Sequence, residues 1–205
     1  MRLPISSRTL LNALDGIVYL VDGLGILRAY GDPNWTVFAD AQNAPHLGNG
    51  AAIGKSIFDG IEGEEVRTAY RRLHGAAASS RGRRITFEYR CDSPATERTM
   101  RMSLTNVIGS LVLYQSQILS EVPRPWMSLF NFKNSYSARG RNSPVVTMCS
   151  FCNQVRWPLS ASDEEVHWIS PGDYYRSGGQ DDVSISHGIC PRCTKVIVET
   201  FSFPE

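Results

Sequence analysis

ITFEYRC, at residues 85–91, alternates large apolar with polar side chains. The same period of two recurs in TMRMSLTNV at residues 99–107 and in GSLVLYQSQIL at residues 109–119. A strand that buries one face and exposes the other gives this pattern, because its side chains point alternately to opposite sides. Three such runs in succession predict an antiparallel meander with one solvent-exposed face.

The segment before this meander predicts helices and one hairpin. SRTLLNALD at residues 7–15 has leucines at helical spacing, and two β-branched runs then flank Asp22-Gly23, a turn typical of hairpins. A short helix is expected after Gly31, and apolar spacing predicts a longer one over residues 56–74. Small and basic residues at 75–84 predict an irregular connection. Residues 7–120 are therefore expected to form an α+β domain with a five-stranded antiparallel sheet and flanking helices.

Composition limits the class of protein. The chain has 205 residues, of which 42% are hydrophobic and 20% charged, enough for a globular core, and its formal net charge is +1. That balance gives no general reason to expect a polyanionic partner. No run of 18 apolar residues predicts a membrane span, and the N-terminal segment lacks the cleavage site of a signal peptide. We expect a cytoplasmic protein without membrane contact.

Residues 121–148 change in character, because proline, glycine, serine and asparagine dominate them. They predict a linker between the first domain and the C-terminal region. Trp126, Leu129, Phe130 and Phe132 make it unusually apolar, and burying each large side chain is worth about 1.5–3 kcal/mol. We therefore expect this segment to lie on the first domain, on the C-terminal module or on a second copy of the chain.

Four of the five cysteines form two Cys-x-x-Cys pairs, with residues 153–189 between them. Two disulfides, a redox dithiol or a metal site all use such pairs, but cytosolic thiols stay reduced and a redox dithiol needs only one pair. Matched pairs are typical of tetrahedral zinc, which four thiolates enclose completely. The interpretation is a structural Zn²⁺ site in a module of residues 149–205, with Cys149, Cys152, Cys190 and Cys193 as ligands. His187 is a candidate outer contact or alternative ligand.

The chain resembles a known family of bacterial proteins. LLNALDGIVYLVDGLGILRAYGDPNW at residues 10–35 and IGKSIFDGIEGEEVRTAYRRLHGA at residues 53–76 are similar to the opening helix, first hairpin and central helices of a PAS domain. VVTMCSFCNQVRWP followed by SHGICPRC is similar to a cysteine module that follows PAS or receiver domains in bacterial signalling proteins. The resemblance implies a PAS-like sensor or interaction domain with a C-terminal zinc module, whose cavity ligand is unknown.

Three further residues are candidates for binding a cofactor in that cavity. His74 follows a helical run and His46 lies in a loop, so either is a possible haem ligand. A histidine at a helix end is more often an exposed cap, which is the competing interpretation of His74. Cys91 is a possible redox sensor, although a small packed residue is the more ordinary role.

The resemblance implies a signal-transduction protein, and we expect it to be non-enzymatic because no catalytic motif is evident. It is expected to act by binding another signalling protein or by pairing with itself as a homodimer. One alternative is a redox or gas sensor that carries haem or another cofactor. Another alternative is a zinc-ribbon regulator that binds nucleic acid. Nucleic acid is not the expected partner, because the basic residues at 67–84 lack interleaved aromatic side chains.

Overall fold

A computed structural model describes residues 6–41, 44–80, 82–131, 144–159 and 166–201. The chain divides into two compact units. The first contains Met1–Ile61, Thr68–Glu88 and Met100–Ile118, and the second contains Glu62–Arg67, Tyr89–Thr99 and Leu119–Glu205.

The predicted α+β fold with a five-stranded antiparallel sheet is confirmed. Its strand order is β2-β1-β5-β4-β3, so the N-terminal hairpin pairs with the last strand of the meander. The elements are α1 (Ser7–Asn12), β1 (Ile17–Val21), β2 (Leu27–Tyr30), α2 (Asp32–Ala41), α3 (Glu64–Ser79), β3 (Arg84–Arg90), β4 (Thr96–Ile108) and β5 (Leu111–Pro123). Short 3₁₀ turns lie at Pro45–Leu47 and Ser128–Phe130.

The hairpin between β1 and β2 has a wider turn than the expected two-residue Asp-Gly turn. The backbone of Asp22 pairs with Ile26, and the Asp22 carboxylate accepts hydrogen bonds from the amides of Leu24 and Ile26, each 3.0 Å long. Gly25 takes a φ of +85°, and a β-carbon there would collide with the Phe58 ring. The conformation of this loop is therefore determined by the hydrogen bonds of the Asp22 side chain to its own turn and by the glycine at position 25.

Helix α3 is displaced from its expected position, because it begins at Glu64 and continues to Ser79. The helix was expected over residues 56–74, but the residues before Glu64 are not part of it. An irregular connection was expected over residues 75–84, but its first part, to Ser79, is helical. Three consecutive alanines follow Gly75, and alanine has the highest helix propensity, which offsets the cost of the glycine. His74 consequently lies inside the helix rather than at its end.

The second unit contains a four-stranded sheet with the order β8-β7-β6-β9. Strands β6 and β9 run parallel, with Cys149 in register with Gly188, whereas β6–β7 and β7–β8 are antiparallel. The strands of this sheet and the helices that follow them are β6 (Val145–Cys149), β7 (Val155–Trp157), β8 (His167–Ile169), α4 (Pro171–Arg176), β9 (Ser184–Gly188) and α5 (Pro191–Phe201).

The apolar segment before this sheet takes part in the core of the second unit. Leu129 and Phe130 are buried, and the guanidinium of Arg124 lies 4.0 Å from the centre of the Phe130 ring. Trp126 is 66% exposed within its own chain, and Phe132 lies outside the described residues. The core cluster comprises Leu129, Phe130, Val146, Met148, Val155, Tyr174 and Val183.

Among the described helices, none combines the length and the apolar character needed to cross a bilayer.

Candidate metal centre

The first cysteine pair occupies the hairpin turn between β6 and β7. The amide of Cys149 donates to the carbonyl of Gln154 at 2.8 Å, and the amide of Asn153 donates to the carbonyl of Cys149 at 2.9 Å. Asn153 has a φ of 59°, a left-handed conformation that asparagine tolerates better than most residues. This tight turn places both cysteines at one end of the sheet.

The second pair lies at the start of α5. The carbonyl of Cys190 accepts from the amide of Thr194, and its sulfur accepts from the amide of Cys193 at 3.4 Å. Cys190 thus caps the helix as a serine would, and Pro191 occupies the first helical position, where its missing N–H costs nothing.

Parallel pairing of β6 and β9 brings the two cysteine pairs together. The amide of Ser150 donates to the carbonyl of Gly188 at 3.0 Å, which joins the two turns directly. A β-carbon at Gly188 would lie only 3.1 Å from the Thr147 side chain, so glycine permits this close approach. The sulfur atoms of all four predicted cysteines lie within 4.8 Å of one another. The chemistry of this donor set fits a metal ion that prefers thiolates, such as zinc.

The thiols of Cys149, Cys152 and Cys193 oppose one another's ionisation. Hydrogen bonds from Cys152 and then Cys193 lower the pKa of Cys149 to about 2. The hydrogen bond to Cys149 in turn raises the pKa of Cys152 to about 12, and the pKa of Cys193 is raised by the same neighbouring sulfurs. A bound divalent cation would remove this opposition, because it favours the thiolate form of every ligand.

His187 lies beside the cysteines but is not one of the clustered donors. Its Nδ1 atom is 3.4 Å from the Ser150 hydroxyl, and its Nε2 atom is 3.6 Å from the Glu62 carboxylate. Burial lowers the pKa of His187, although the charge of Glu62 opposes that shift. These two contacts link His187 to Ser150 and Glu62 beside the cluster.

His74, the first cavity candidate, is buried in the first unit with both ring nitrogens bonded. Nε2 lies 2.8 Å from the carbonyl oxygen of Asp22, so Nε2 carries the hydrogen and donates it. Nδ1 then accepts from the Tyr114 hydroxyl at 2.9 Å. Burial lowers the pKa of His74 and raises the pKa of Tyr114, so both remain neutral near pH 7. The interpretation of His74 as an exposed helix cap is wrong, because α3 continues past it.

The other two cavity candidates lie elsewhere. His46 is exposed on the 3₁₀ turn Pro45–Leu47. Cys91 is half-buried in the second unit, just after β3, and desolvation raises its pKa. A raised pKa disfavours the reactive thiolate, which agrees with Cys91 as a packed residue.

Sequence reasoning missed a charged cluster in the second unit. The buried Asp92 carboxylate accepts from Arg90 at 2.7 and 2.9 Å, from Arg124 at 2.7 Å and from the amide of Arg98 at 3.0 Å. Burial opposes ionisation of Asp92, but these donors hold its pKa below the ordinary value. Nothing in the sequence marks these residues, because isolated charges around strand ends are usually solvated.

Among the described residues, the four cysteines form the only group of three or more candidate metal ligands. No family model matches the chain, and no curated protein matches it in sequence.

Proposed function

We propose that the cysteine cluster holds one structural zinc ion, and that the protein is a non-enzymatic bacterial signalling protein with a PAS-like domain coupled to this zinc module. The observation that carries the proposal is the convergence of four sulfurs, within 4.8 Å, from two turns far apart in sequence. Four thiolates complete a tetrahedral shell and leave no position for a substrate. The metal's contribution is to fold and hold the module.

Disulfide bonding is the competing use of these cysteines. All four thiols are free, and the Cys152 and Cys190 sulfurs are 3.6 Å apart, well beyond a bond of about 2.05 Å. The pKa shifts in the cluster also favour a cation, because a set of thiols that oppose each other's ionisation is stabilised by a positive charge at their centre.

A PAS-like domain is supported by the order of the elements. An opening helix, a hairpin, intervening helices and three long strands follow one another and join in one five-stranded sheet. Inside the first unit, Tyr114 stacks on Tyr19 with ring centres 4.9 Å apart, and His74 bonds to Tyr114. Because both nitrogens of His74 are already bonded, a role in protein interaction is favoured over the alternative of a haem sensor.

Elemental analysis of the protein after gel filtration tests the proposal. We expect one zinc per chain, and no absorption band in the visible spectrum. A folded and fully reduced protein without metal would overturn the zinc site. A haem spectrum would replace the interaction role with the cofactor-bearing sensor.

Signalling through protein contact requires a separate measurement. The zinc-loaded chain and its Cys149→Ser variant are used side by side to capture proteins from bacterial extracts, and each captured protein is then titrated in purified form. We expect a signalling protein that binds the zinc-loaded chain at least about tenfold more tightly than the variant, a difference of about 1.4 kcal/mol. Binding of nucleic acid with a steep salt dependence, and no such protein, would favour the zinc-ribbon alternative.

A further inference from the structure

Two hairpin turns of the first unit lie side by side at one end of its sheet. The turn between β1 and β2 covers residues 22–26, and the turn between β4 and β5 contains Ser110. Because Val21 pairs with Val112, both turns leave the sheet at the same end. A β-carbon on Gly23 would lie 2.7 Å from the hydroxyl oxygen of Ser110, so the two turns are in contact.

This end of the sheet exposes three aliphatic side chains. Leu24 is 82% exposed, Ile108 is 73% exposed and Val107 is 54% exposed. Leu24 lies in the first turn, and the other two residues end β4. A single exposed leucine is ordinary on a protein surface, but three aliphatic side chains on two touching turns make a protruding apolar patch. Leu24, Val107 and Ile108 together form the hairpin tip.

Basic residues lie beside the hairpin tip on strand β3. This strand is the neighbour of β4 in the sheet, and the hydroxyls of Thr86 and Ser103 are 3.4 Å apart across the pair. The antiparallel register that follows places Arg83 and Arg84 beside the last residues of β4. Both arginines are exposed.

Further basic side chains lie behind the first turn. Gly25 lies against the ring of Phe58, and the guanidinium of Arg71 is 5.5 Å from the centre of that ring. The amide of Leu27 donates to the carbonyl of Lys55 at 2.9 Å, so the exposed Lys55 belongs to the same end of the sheet. The hairpin tip therefore has cations on both of its sides.

The charges of the chain are divided unevenly between the two units. The first unit has ten lysines and arginines against six acidic residues, and the second has 11 against 14. The formal net charge of +1 therefore combines +4 on the first unit with −3 on the second. Of the acidic residues near the hairpin tip, Asp22 is paired with Arg28 and Asp59 is exposed. Positive charge is thus in excess around the hairpin tip.

We propose that the hairpin tip is a docking surface for an anionic lipid bilayer. Protruding aliphatic side chains enter the boundary between headgroups and acyl chains, while lysines and arginines just behind them lie at the level of the lipid phosphates. A bilayer deforms around a protruding tip, whereas a protein partner needs a matching concave pocket. Charge and shape together favour the bilayer.

This docking replaces the sequence-based expectation of no membrane contact. That expectation concerned spanning segments and signal peptides, and docking at a surface requires neither. Every residue of the hairpin tip belongs to the first unit, so the docking does not depend on the zinc centre.

The first measurement uses the unmodified chain and vesicles of phosphatidylcholine, with and without phosphatidylglycerol. Cosedimentation gives the affinity for each, at low and at high salt. We expect at least about tenfold tighter binding to the anionic vesicles at low salt, and a large loss of that difference at high salt, because salt screens exposed charges. No binding, or equal binding to the two kinds of vesicle, would overturn the proposal.

Hydrogen exchange of the same chain locates the contact. Anionic vesicles should slow exchange in residues 22–27 and 105–111 and leave α2 unchanged. Protection confined to any other surface would overturn the proposal.

The second measurement tests the aliphatic side chains with the double variant Leu24→Ser, Ile108→Ser. Its matched control is Val37→Ser, because Val37 is 70% exposed on α2. We expect at least about tenfold weaker binding to anionic vesicles for the double variant and unchanged binding for the control. Urea unfolding of both variants verifies that each is folded. Binding retained in the double variant, or lost equally in the control, would overturn the proposal.

The third measurement tests the cations with Arg84→Gln. Its matched control is Arg8→Gln, because Arg8 pairs with Asp32 beyond the far end of β2. Arg84→Gln should weaken binding to anionic vesicles, and the control should leave it nearly unchanged. An equal effect of the two changes would overturn the assigned orientation. An acidic protein that binds the hairpin tip, in the absence of vesicle binding, would assign this surface to a protein partner instead.

Discussion

His74 in the first unit and the first cysteine of each pair in the second unit, Cys149 and Cys190, are all buried. The chain itself supplies both hydrogen-bond partners of His74, a carbonyl at 2.8 Å and a hydroxyl at 2.9 Å. The cysteines have mainly each other, and the ionisation of Cys149 raises the pKa of Cys152. The histidine is satisfied as a neutral group, whereas the cysteine cluster is a set of donors that could hold a metal ion.

This difference separates structural polar groups from binding sites more reliably than residue type does. Histidine and cysteine are both common metal ligands, and both were candidates on sequence grounds. A buried group whose donors and acceptors are complete stabilises the fold and has no bonding capacity left over. A buried group that the protein cannot satisfy alone calls for a ligand from outside.

The largest expected effect is that of Cys149→Ser, which removes a buried sulfur from the cluster. A structural zinc site contributes about 10–16 kcal/mol, comparable to the whole stability of a domain at about 5–15 kcal/mol. We expect loss of zinc and unfolding around β6, β9 and α5, with the first unit still folded. Hydrogen exchange read peptide by peptide, together with zinc analysis, measures both outcomes.

The matched control for that experiment is Ser150→Ala, which changes the neighbouring residue without removing a sulfur. It should retain one zinc per chain. If Cys149→Ser keeps zinc and a folded second unit, the cluster is not a structural metal site and the comparison with His74 fails.

A smaller effect is expected for His74→Ala. The change leaves the Tyr114 hydroxyl and the Asp22 carbonyl without their partner, at about 1–3 kcal/mol for each unsatisfied group. The first unit should become less stable in urea while the zinc content stays at one per chain. Tyr114→Phe, which leaves only Nδ1 of His74 unpaired, should cost less. A loss of zinc in His74→Ala, or no change in stability, would contradict the assigned role.

The smallest effect is the dependence of the first unit on pH. Burial lowers the pKa of His74 below its ordinary value of 6.5, so below about pH 6.5 the unfolded chain binds a proton that the folded chain does not. His74 therefore contributes its full stability above that pH, and the contribution falls as the pH falls towards the folded-state pKa. Hydrogen exchange of β1 and β5 at pH 7.5 and 5.5 should show this loss, and His74→Gln should reduce it. An equal loss in both proteins would assign the titration to another group.

The cysteine cluster could be predicted from the sequence and the buried histidine could not, for a physical reason. A Cys-x-x-Cys pair places two sulfurs together through one local turn, so its chemistry is visible in four residues. His74 depends on partners at positions 22 and 114, and its burial depends on α3 continuing through Gly75. The alternating runs likewise predicted the strands of the meander, but not that β5 pairs with β1.

Long-range pairing also explains what was missed around the site. The parallel register of β6 and β9, which joins the cysteine pairs, needs no local signal in either strand. The four donors around Asp92 come from β3, from β4 and from residue 124, so each charge looks like an ordinary surface residue in the sequence. Trp126 is the opposite case, a residue whose apolar side chain suggests burial but which is exposed within its own chain.

The parallel pairing of β6 with β9 has a consequence for the order of events during synthesis. Cys149 leaves the ribosome well before Cys193, and at about 5–20 residues per second the second pair follows by several seconds. Until then the first pair offers only two sulfurs, and strand β6 lacks its parallel neighbour. The four-cysteine cluster is therefore completed only after translation has passed α5, and until then the nascent chain carries its first two sulfurs without the second pair.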